Sequence, residues 1–149
     1  RIIHSLPAIA PDGTIYFGTK VLPGTQVRFF ALNPNGTLKW IFEPHDRGIN
    51  DEGNDIYFSP AVGSDRTVYF GCETTYIYAL NPDGSLRWKC KTSRDTTWPS
   101  PAIKSDGTIF IGNMNGNLYA IKSDSWGLIN SPWPKYRQNN QNTGRVAGR

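Results

Sequence analysis

The sequence predicts an all-β chain of three repeated four-stranded antiparallel sheets. Short runs of β-branched and aromatic residues alternate with Gly, Asp and Asn turns, which is typical of strands and hairpins. No 3.6-residue apolar period, the mark of an amphipathic helix, is visible. The composition agrees, because the 149 residues include 13% aromatics, 15 Gly and 11 Pro.

The stretch from Ser100 to Ile121 displays one repeat most clearly. Pro101 opens a short apolar run, a position that suits the start of a strand. Gly107 follows Asp in a turn signal, because glycine accepts a positive φ and Asp bonds the backbone ahead. Residues 108–111 have strand composition, and Asn-Gly at Gly116 is a strong hairpin signal. The stretch therefore predicts three strands joined by two turns.

Constant spacings relate this stretch to two earlier copies. The interval from the opening Pro to the Gly ending the second strand is 11 residues each time: Pro7 to Gly18, Pro60 to Gly71, Pro101 to Gly112. The interval from that Gly to the third-strand Ala is 8 residues in two copies and 13 in the first. The interval from that Ala to a fourth-strand Trp is 9 residues for Trp40 and Trp88, but the third copy has Ile129 there. Such regular offsets indicate an internal repeat.

The repeats divide residues 1–130 into three units, at about 5–42, 56–91 and 99–129, followed by a tail over 131–149. First strands are expected over 6–10 and 57–62, a fourth strand of the first unit over 38–42, and a third strand of the second unit over 76–80. The tail is expected to be irregular but partly ordered through Trp133 and Tyr136. Four antiparallel strands in each unit of this length are typical of a β-propeller blade. Three blades are fewer than the 4–8 that close a propeller, so the fold class is a partial propeller.

Charge, hydropathy and cysteines narrow the possible functions. Lys and Arg number 16 and Asp and Glu 12, so 16 − 12 gives a mildly basic net charge of +4. Nucleic-acid binding ranks low, because this charge is its only support. No apolar run approaches the roughly 18 residues of a membrane helix, so no membrane insertion is expected. Residue 1 lies almost on the first strand, where no targeting segment is recognised. Cys72 and Cys90 fall on non-adjacent strands roughly 9–10 Å apart, which predicts two free thiols.

Several of these motifs resemble a known repeat family. They are Pro-Ala-Ile at 7–9, Asp-Gly-Thr-Ile-Tyr-Phe-Gly at 12–18, Tyr-Ala-Leu-Asn-Pro-Asp-Gly-Ser-Leu-Arg-Trp at 78–88, Trp-Pro-Lys-Tyr-Arg at 133–137 and Asn-Thr-Gly at 142–144. Together they resemble PQQ-like β-propeller repeats, which occur in quinoprotein dehydrogenases and in the outer-membrane assembly lipoprotein BamB. The resemblance implies a structural role for Trp40 and Trp88, each packing against a neighbouring blade.

Departures from the family weaken an enzymatic interpretation. PQQ-dependent dehydrogenases carry adjacent cysteines, an Asp base and a set of calcium ligands, and no match to these is recognised here. We therefore expect no catalytic residue, cofactor or metal, with PQQ and calcium only if the chain is a fragment of a quinoprotein oxidoreductase. The favoured function is a non-catalytic binding or scaffold module with a protein or glycan partner. The resemblance places it outside the cytoplasm, in the periplasm, at the cell surface or secreted.

Candidate ligand-binding residues fall in the loops after the fourth strands, because long loops on a rigid scaffold often carry function. They are His45, Asp46, Arg47, Asn50, Asp51, Arg94 and Trp98.

Each candidate has a structural alternative. His45 and Asp46 suit a general base and its orienting carboxylate, or simply an exposed loop. Oxygen-bearing side chains at 51, 52, 54 and 55 suit calcium, or a solvated acidic loop. Basic residues at 87, 89, 91 and 94 suit phosphates, or a solvated strand edge. Trp98 suits a stacking platform, or packing between blades. The structural alternative is favoured for each.

Assembly is the last expectation. The first and third blades each leave one apolar face bare, and such a face usually marks an interface. The residues that three blades cannot all cover are Ile15, Tyr16, Phe17, Phe29, Phe30, Ile109, Phe110 and Ile111. Two copies would supply six blades, with equivalent contacts related by a two-fold axis. The sequence therefore predicts either a homodimer forming a six-bladed body, or a piece of a longer protein whose further blades cover these faces.

Overall fold

The computed structural model describes residues 3, 5–20, 26–44, 55–72, 76–92, 100–113 and 116–140. Within these ranges the chain forms three antiparallel sheets, which we call blades, and the all-β fold class is confirmed. Blade 1 contains β1 (Ala8–Ile9), β2 (Ile15–Gly18), β3 (Phe29–Leu32) and β4 (Leu38–Phe42). Blade 2 contains β5 (Ala61–Val62), β6 (Val68–Cys72), β7 (Tyr76–Leu80) and β8 (Leu86–Lys91). Blade 3 contains β9 (Ala102–Ile103), β10 (Thr108–Gly112) and β11 (Leu118–Lys122).

Each blade is an antiparallel meander, in which strands that are consecutive in sequence pair with each other. An Asp-x-Thr turn joins the first two strands of each blade. Asp12 accepts a hydrogen bond from the Thr14 backbone N–H at 3.0 Å, and the turns at Asp65 and Asp106 repeat it at 3.1 and 2.9 Å. The residue after the Asp has a positive φ: glycine in blades 1 and 3, but Arg66, with φ 66°, in blade 2. One side chain therefore occupies a backbone conformation that favours glycine.

Blade 3 departs from the repeat after its third strand. Blades 1 and 2 have four strands each, whereas the described part of blade 3 has three. The Asn-Pro-x-Gly turn is replaced by Ser-Asp-Ser, and Ser123 donates hydrogen bonds from its N–H and hydroxyl to the Gly107 carbonyl. The chain then crosses to blade 2, where Ser64 donates its N–H to the carbonyl of Gly127 at 2.9 Å. These hydrogen bonds direct the segment that follows β11 toward blade 2 and away from the outer edge of β11.

The described tail runs along the first strands of the blades. Ile129 donates its N–H to the Val62 carbonyl, and Val62 donates its own N–H to the Pro134 carbonyl, both at 2.9 Å. Ile9 donates to the Trp133 carbonyl at 2.6 Å, as expected if Trp133 orders the tail. The side-chain amide of Asn140 reaches the Ile103 carbonyl at 2.7 Å. The tail therefore contacts β1, β5 and β9, one strand from each blade.

Two apolar cores hold the three blades face to face. We call the face that a blade turns toward the next blade in sequence its forward face, and the opposite one its rear face. The first core joins the forward face of blade 1 to the rear face of blade 2. The second joins the forward face of blade 2 to the rear face of blade 3. Every residue of β6 is buried as a result.

Cys72 and Cys90 are not joined by a disulfide, as predicted. Across the described ranges, no helix has the length and apolar character needed to cross a membrane.

Candidate functional site

The seven ligand-binding residues predicted from the sequence lie outside the part of the chain that the structure describes. They are His45, Asp46, Arg47, Asn50, Asp51, Arg94 and Trp98. Of the acidic group, Asp55 is described, and it is buried at the start of blade 2. Its carboxylate lies 3.9 Å from the Lys20 ammonium, which in turn lies 5.3 Å from the centre of the Tyr57 ring. These contacts tie the first two blades together at their loop end.

Two basic residues of β8, Arg87 and Lys89, make contacts within the chain. Arg87 contacts the carboxylate of Asp65 in its own blade at 2.7 Å and that of Asp124, after β11 of blade 3, at 3.3 Å. The Lys89 ammonium lies 5.0 Å from the centre of the Tyr76 ring. The two carboxylates neutralise Arg87, which favours the strand-edge interpretation over phosphate binding. No group of three or more His, Cys, Asp or Glu side chains arranged to hold a metal occurs within the described ranges.

The opposite end of each blade carries the Asp-x-Thr turns. The Thr14 backbone N–H holds the pKa of Asp12 below its usual value. Burial acts to raise the pKa of Asp65, but hydrogen bonds from Thr67 and the charge of Arg87 outweigh it, so the net shift is downward. The carboxylates are used in closing their own turns, which favours a structural role for this end.

The junction between blades 1 and 2 is dominated by aromatic rings. Phe29, on the forward face of blade 1, stacks on Phe70 of blade 2 with centroids 4.0 Å apart and planes at 5°. Phe70 also stacks on its cross-strand neighbour Tyr78, at 5.2 Å and 13°. Phe42 lies edge-on to Tyr78 at 5.7 Å and 63°. The stacked pair on the rear face of blade 2 is thus covered by blade 1, and Phe70 is fully buried.

The fourth-strand Trp of blade 1 strengthens this junction. The Trp40 indole donates a hydrogen bond to the Pro82 carbonyl of blade 2 at 2.9 Å. Its ring lies against Gly84, where an added β-carbon would be only 2.6 Å from Cδ2 of the indole. The interblade packing that the resemblance implies for Trp40 is therefore present. The equivalent turn in blade 1 has no such neighbour, since a β-carbon on Gly36 would meet no described atom within 4 Å.

The rear face of blade 1 is an uncovered copy of the rear face of blade 2. Phe17 and Phe30 stack at 5.3 Å and 10°, and they occupy the repeat positions of Phe70 and Tyr78. Both are only partly buried. Ile41 pairs with Phe30 across the sheet and is 38% exposed. Among the described residues, no blade covers this face as blade 1 covers its counterpart.

The forward face of blade 3 is likewise open. Phe110 lies between Ala102 and Ala120 in the strand register, repeating the Ala–Tyr–Ala row of the other blades. Phe110 is partly buried and Ala120 is exposed. Leu118, at the repeat position of Phe29, is 71% exposed. The two ends of the three-blade stack therefore present two different apolar faces.

The fold of the chain is similar to that of a solved structure. BamB from Moraxella catarrhalis is similar over 85% of this chain, with a TM-score of 0.61 and 19% sequence identity. The fold is that of a partial β-propeller. A streptogramin B lyase structure also matches over 85% of the chain, with a TM-score of 0.49 and 16% identity. The chain spans 35% of the BamB chain and 40% of the lyase chain. No protein-family model matches it, and no curated protein does.

The exposed residues were only partly identified from the sequence. Phe17, Phe30 and Phe110 are partly exposed, as an open face requires. Four residues named with them are buried because they point to the covered faces of their strands: Tyr16, Phe29, Ile109 and Ile111. Leu118, the most exposed of the apolar strand residues described, was not among those named. Its position two residues before the repeat Ala would have identified it.

Proposed function

We propose that the chain is a non-catalytic binding and scaffold module built from PQQ-like β-propeller repeats. The observation that carries the proposal is the pair of open apolar faces at the two ends of the blade stack. Contiguous exposed apolar surface of this kind marks interaction sites in soluble proteins. A protein partner fits these faces best, because blade faces within this chain already bind other blade faces.

The proposal includes a place and an assembly. The repeat resemblance supports an extracytoplasmic location, in the periplasm, at the cell surface or in a secreted protein. The bare faces support self-association as a homodimer with six blades. A glycan partner would instead use the loop end, where Trp98 and the other predicted loop residues belong in the chain.

The alternative function is a fragment of a PQQ-dependent quinoprotein oxidoreductase. The repeat resemblance favours it, whereas the lack of a recognisable adjacent-cysteine and calcium-ligand pattern in the sequence counts against it. The two functions differ in what they require of PQQ. An oxidoreductase must bind the quinone tightly enough to reduce it, and a scaffold has no such requirement.

The test is a titration with PQQ in the presence of calcium. Quinone absorbance reports binding, and the same samples are assayed for alcohol and sugar oxidation with a redox dye. We expect no saturable binding and no turnover. Saturable binding at micromolar PQQ, or oxidation above the protein-free control, would overturn the scaffold function in favour of the oxidoreductase.

A further inference from the structure

We propose that the rear face of blade 1 binds the forward face of blade 3 of a second copy of this chain, with Leu118 of one protomer packing on Phe17 of its partner. The inference rests on the proposed binding function and deepens it by naming the partner and the contact. It defines a head-to-tail junction, in which two different faces meet.

The two internal junctions establish which faces fit together. Blade 1 packs on blade 2 with its forward face on the rear face of its neighbour, and blade 2 packs on blade 3 in the same way. The forward faces share an Ala–aromatic–Ala row, and the rear faces are rich in branched aliphatic and aromatic side chains. The same combination therefore occurs twice within one chain.

The uncovered faces at the ends are the two halves of a third such junction. The forward face of blade 3 repeats the row with Ala102, Phe110 and Ala120. The rear face of blade 1 repeats the stacked aromatic pair with Phe17 and Phe30, whose geometry of 5.3 Å and 10° nearly matches the 5.2 Å and 13° of the covered pair. The first three strands of each open face carry apolar residues at the same positions as a face that is covered elsewhere in the molecule.

The repeat register identifies the residues that would meet. In the first internal junction, Phe29 stacks on Phe70 at 4.0 Å. Phe29 lies two residues before the third-strand Ala, as Leu118 does, and Phe70 lies one residue before the second-strand Gly, as Phe17 does. Leu118 therefore takes the place of Phe29 at the proposed junction. Its 71% exposure in the single chain is the largest apolar exposure on that face.

The two open faces of one copy cannot contact each other, so the proposed contact is made between copies. Blade 2 separates blades 1 and 3, so the two open faces of one chain lie on opposite sides of the stack. A heterologous contact closes into a ring when its rotation divides the circle, and two chains of three blades give six, within the natural range for propellers. Two copies then make two identical junctions. Each junction lacks the Trp40 type of contact, because β11 is followed by no fourth strand in the part of the chain that is described.

The experiment is complementation between two charged variants, measured by sedimentation equilibrium. Leu118→Glu places a carboxylate on the forward face, and Phe17→Lys places an ammonium on the rear face. We expect wild type to form dimers and each variant alone to associate at least about tenfold more weakly. An equimolar mixture should recover the dimer, because one junction then pairs opposite charges and the other remains native.

Controls keep each result interpretable. Leu86→Glu changes an exposed Leu of the middle blade, 45% exposed, and should leave the dimer intact. Circular dichroism and cooperative unfolding confirm that each variant is folded. If Phe17→Lys does not fold, Ile41→Lys on the same face takes its place in the mixture.

Two results would overturn the proposed junction: wild type that stays monomeric at high concentration, or a mixture that stays monomeric while both variants are folded. A mass that keeps rising with concentration beyond two chains would overturn the closed six-bladed ring, because a head-to-tail junction that does not close forms open chains. A monomer that also fails to bind PQQ removes the second copy as partner but leaves the scaffold function standing. Turnover with PQQ removes the scaffold function itself.

Discussion

Replacing Phe70 with Ala should destabilise the chain far more than replacing Phe17, although the two occupy the same repeat position. Each stacks on a cross-strand neighbour, at 5.2 and 5.3 Å. Only Phe70 is also covered by Phe29 of the adjacent blade. The difference between the two substitutions therefore isolates the contribution of the blade junction.

The magnitudes follow from burial. Phe70 is fully buried, and Phe-to-Ala changes in a core cost about 3–5 kcal/mol. Phe17 is half-buried, so its loss should cost roughly 0.8–1.5 kcal/mol, about half of the roughly 1.5–3 kcal/mol for full burial of a large apolar side chain. The expected difference is about 2–4 kcal/mol in the free energy of unfolding.

The assay is urea unfolding followed by tryptophan fluorescence, at protein concentrations low enough to keep the chain monomeric. Equal slopes with urea would indicate that the two variants expose similar surface on unfolding. At concentrations where the proposed dimer forms, the cost of Phe17→Ala should increase. Equal costs for the two substitutions in the monomer would refute the described packing of blade 1 on blade 2.

Four further predictions concern single residues. Trp40→Phe removes the indole hydrogen bond between blades and should lower the free energy of unfolding by about 1 kcal/mol in urea titrations. Gly84→Ala should cost at least about 1 kcal/mol more than Gly36→Ala, because both have positive φ but only the first meets the indole; equal costs would contradict that contact. Arg66→Gly should raise the midpoint of thermal unfolding by relieving a positive φ, and a lowered midpoint would oppose this. The pKa of Asp65 is lowered by folding, so its stabilisation is present above about pH 4 and is lost as the pH falls through the folded pKa; Asp65→Asn should flatten the acid side of the stability curve, and an unchanged curve would count against it.

Repeat spacing was enough to predict most of the strands. The predicted and observed bounds of β4, Leu38–Phe42, and β7, Tyr76–Leu80, coincide, because dense apolar or aromatic residues and a turn on one side define them. The first strands were predicted too long, at 6–10 and 57–62, where only Ala8–Ile9 and Ala61–Val62 pair. The length of a short first strand depends on its pairing with neighbouring strands, and local amino-acid composition does not reveal that pairing.

The sequence did not predict the path of the chain after β11. Loss of the Asn-Pro-x-Gly turn signalled a change, but the crossing to Ser64 depends on backbone hydrogen bonds between distant segments. The pairing of Val62 with the tail has the same origin. Which face of each strand is covered could be predicted from alternation once the blade order was known, and Leu118 follows from that rule. The loop residues from His45 to Asp51, with Arg94 and Trp98, remain predictions.

Cross-linking with a short bis-maleimide tests directly whether the two open faces meet at one junction between copies. Facing sheets pack about 10 Å apart, so thiols at the two positions come within reach of the reagent. Leu118→Cys chains are mixed with Phe17→Cys chains, both carrying Cys90→Ser to remove the partly exposed native thiol. We expect the mixture to form a covalent dimer joined through the two introduced cysteines, identified by mass spectrometry. A mixture that yields no such cross-link, while each thiol reacts singly with the reagent, would contradict the account.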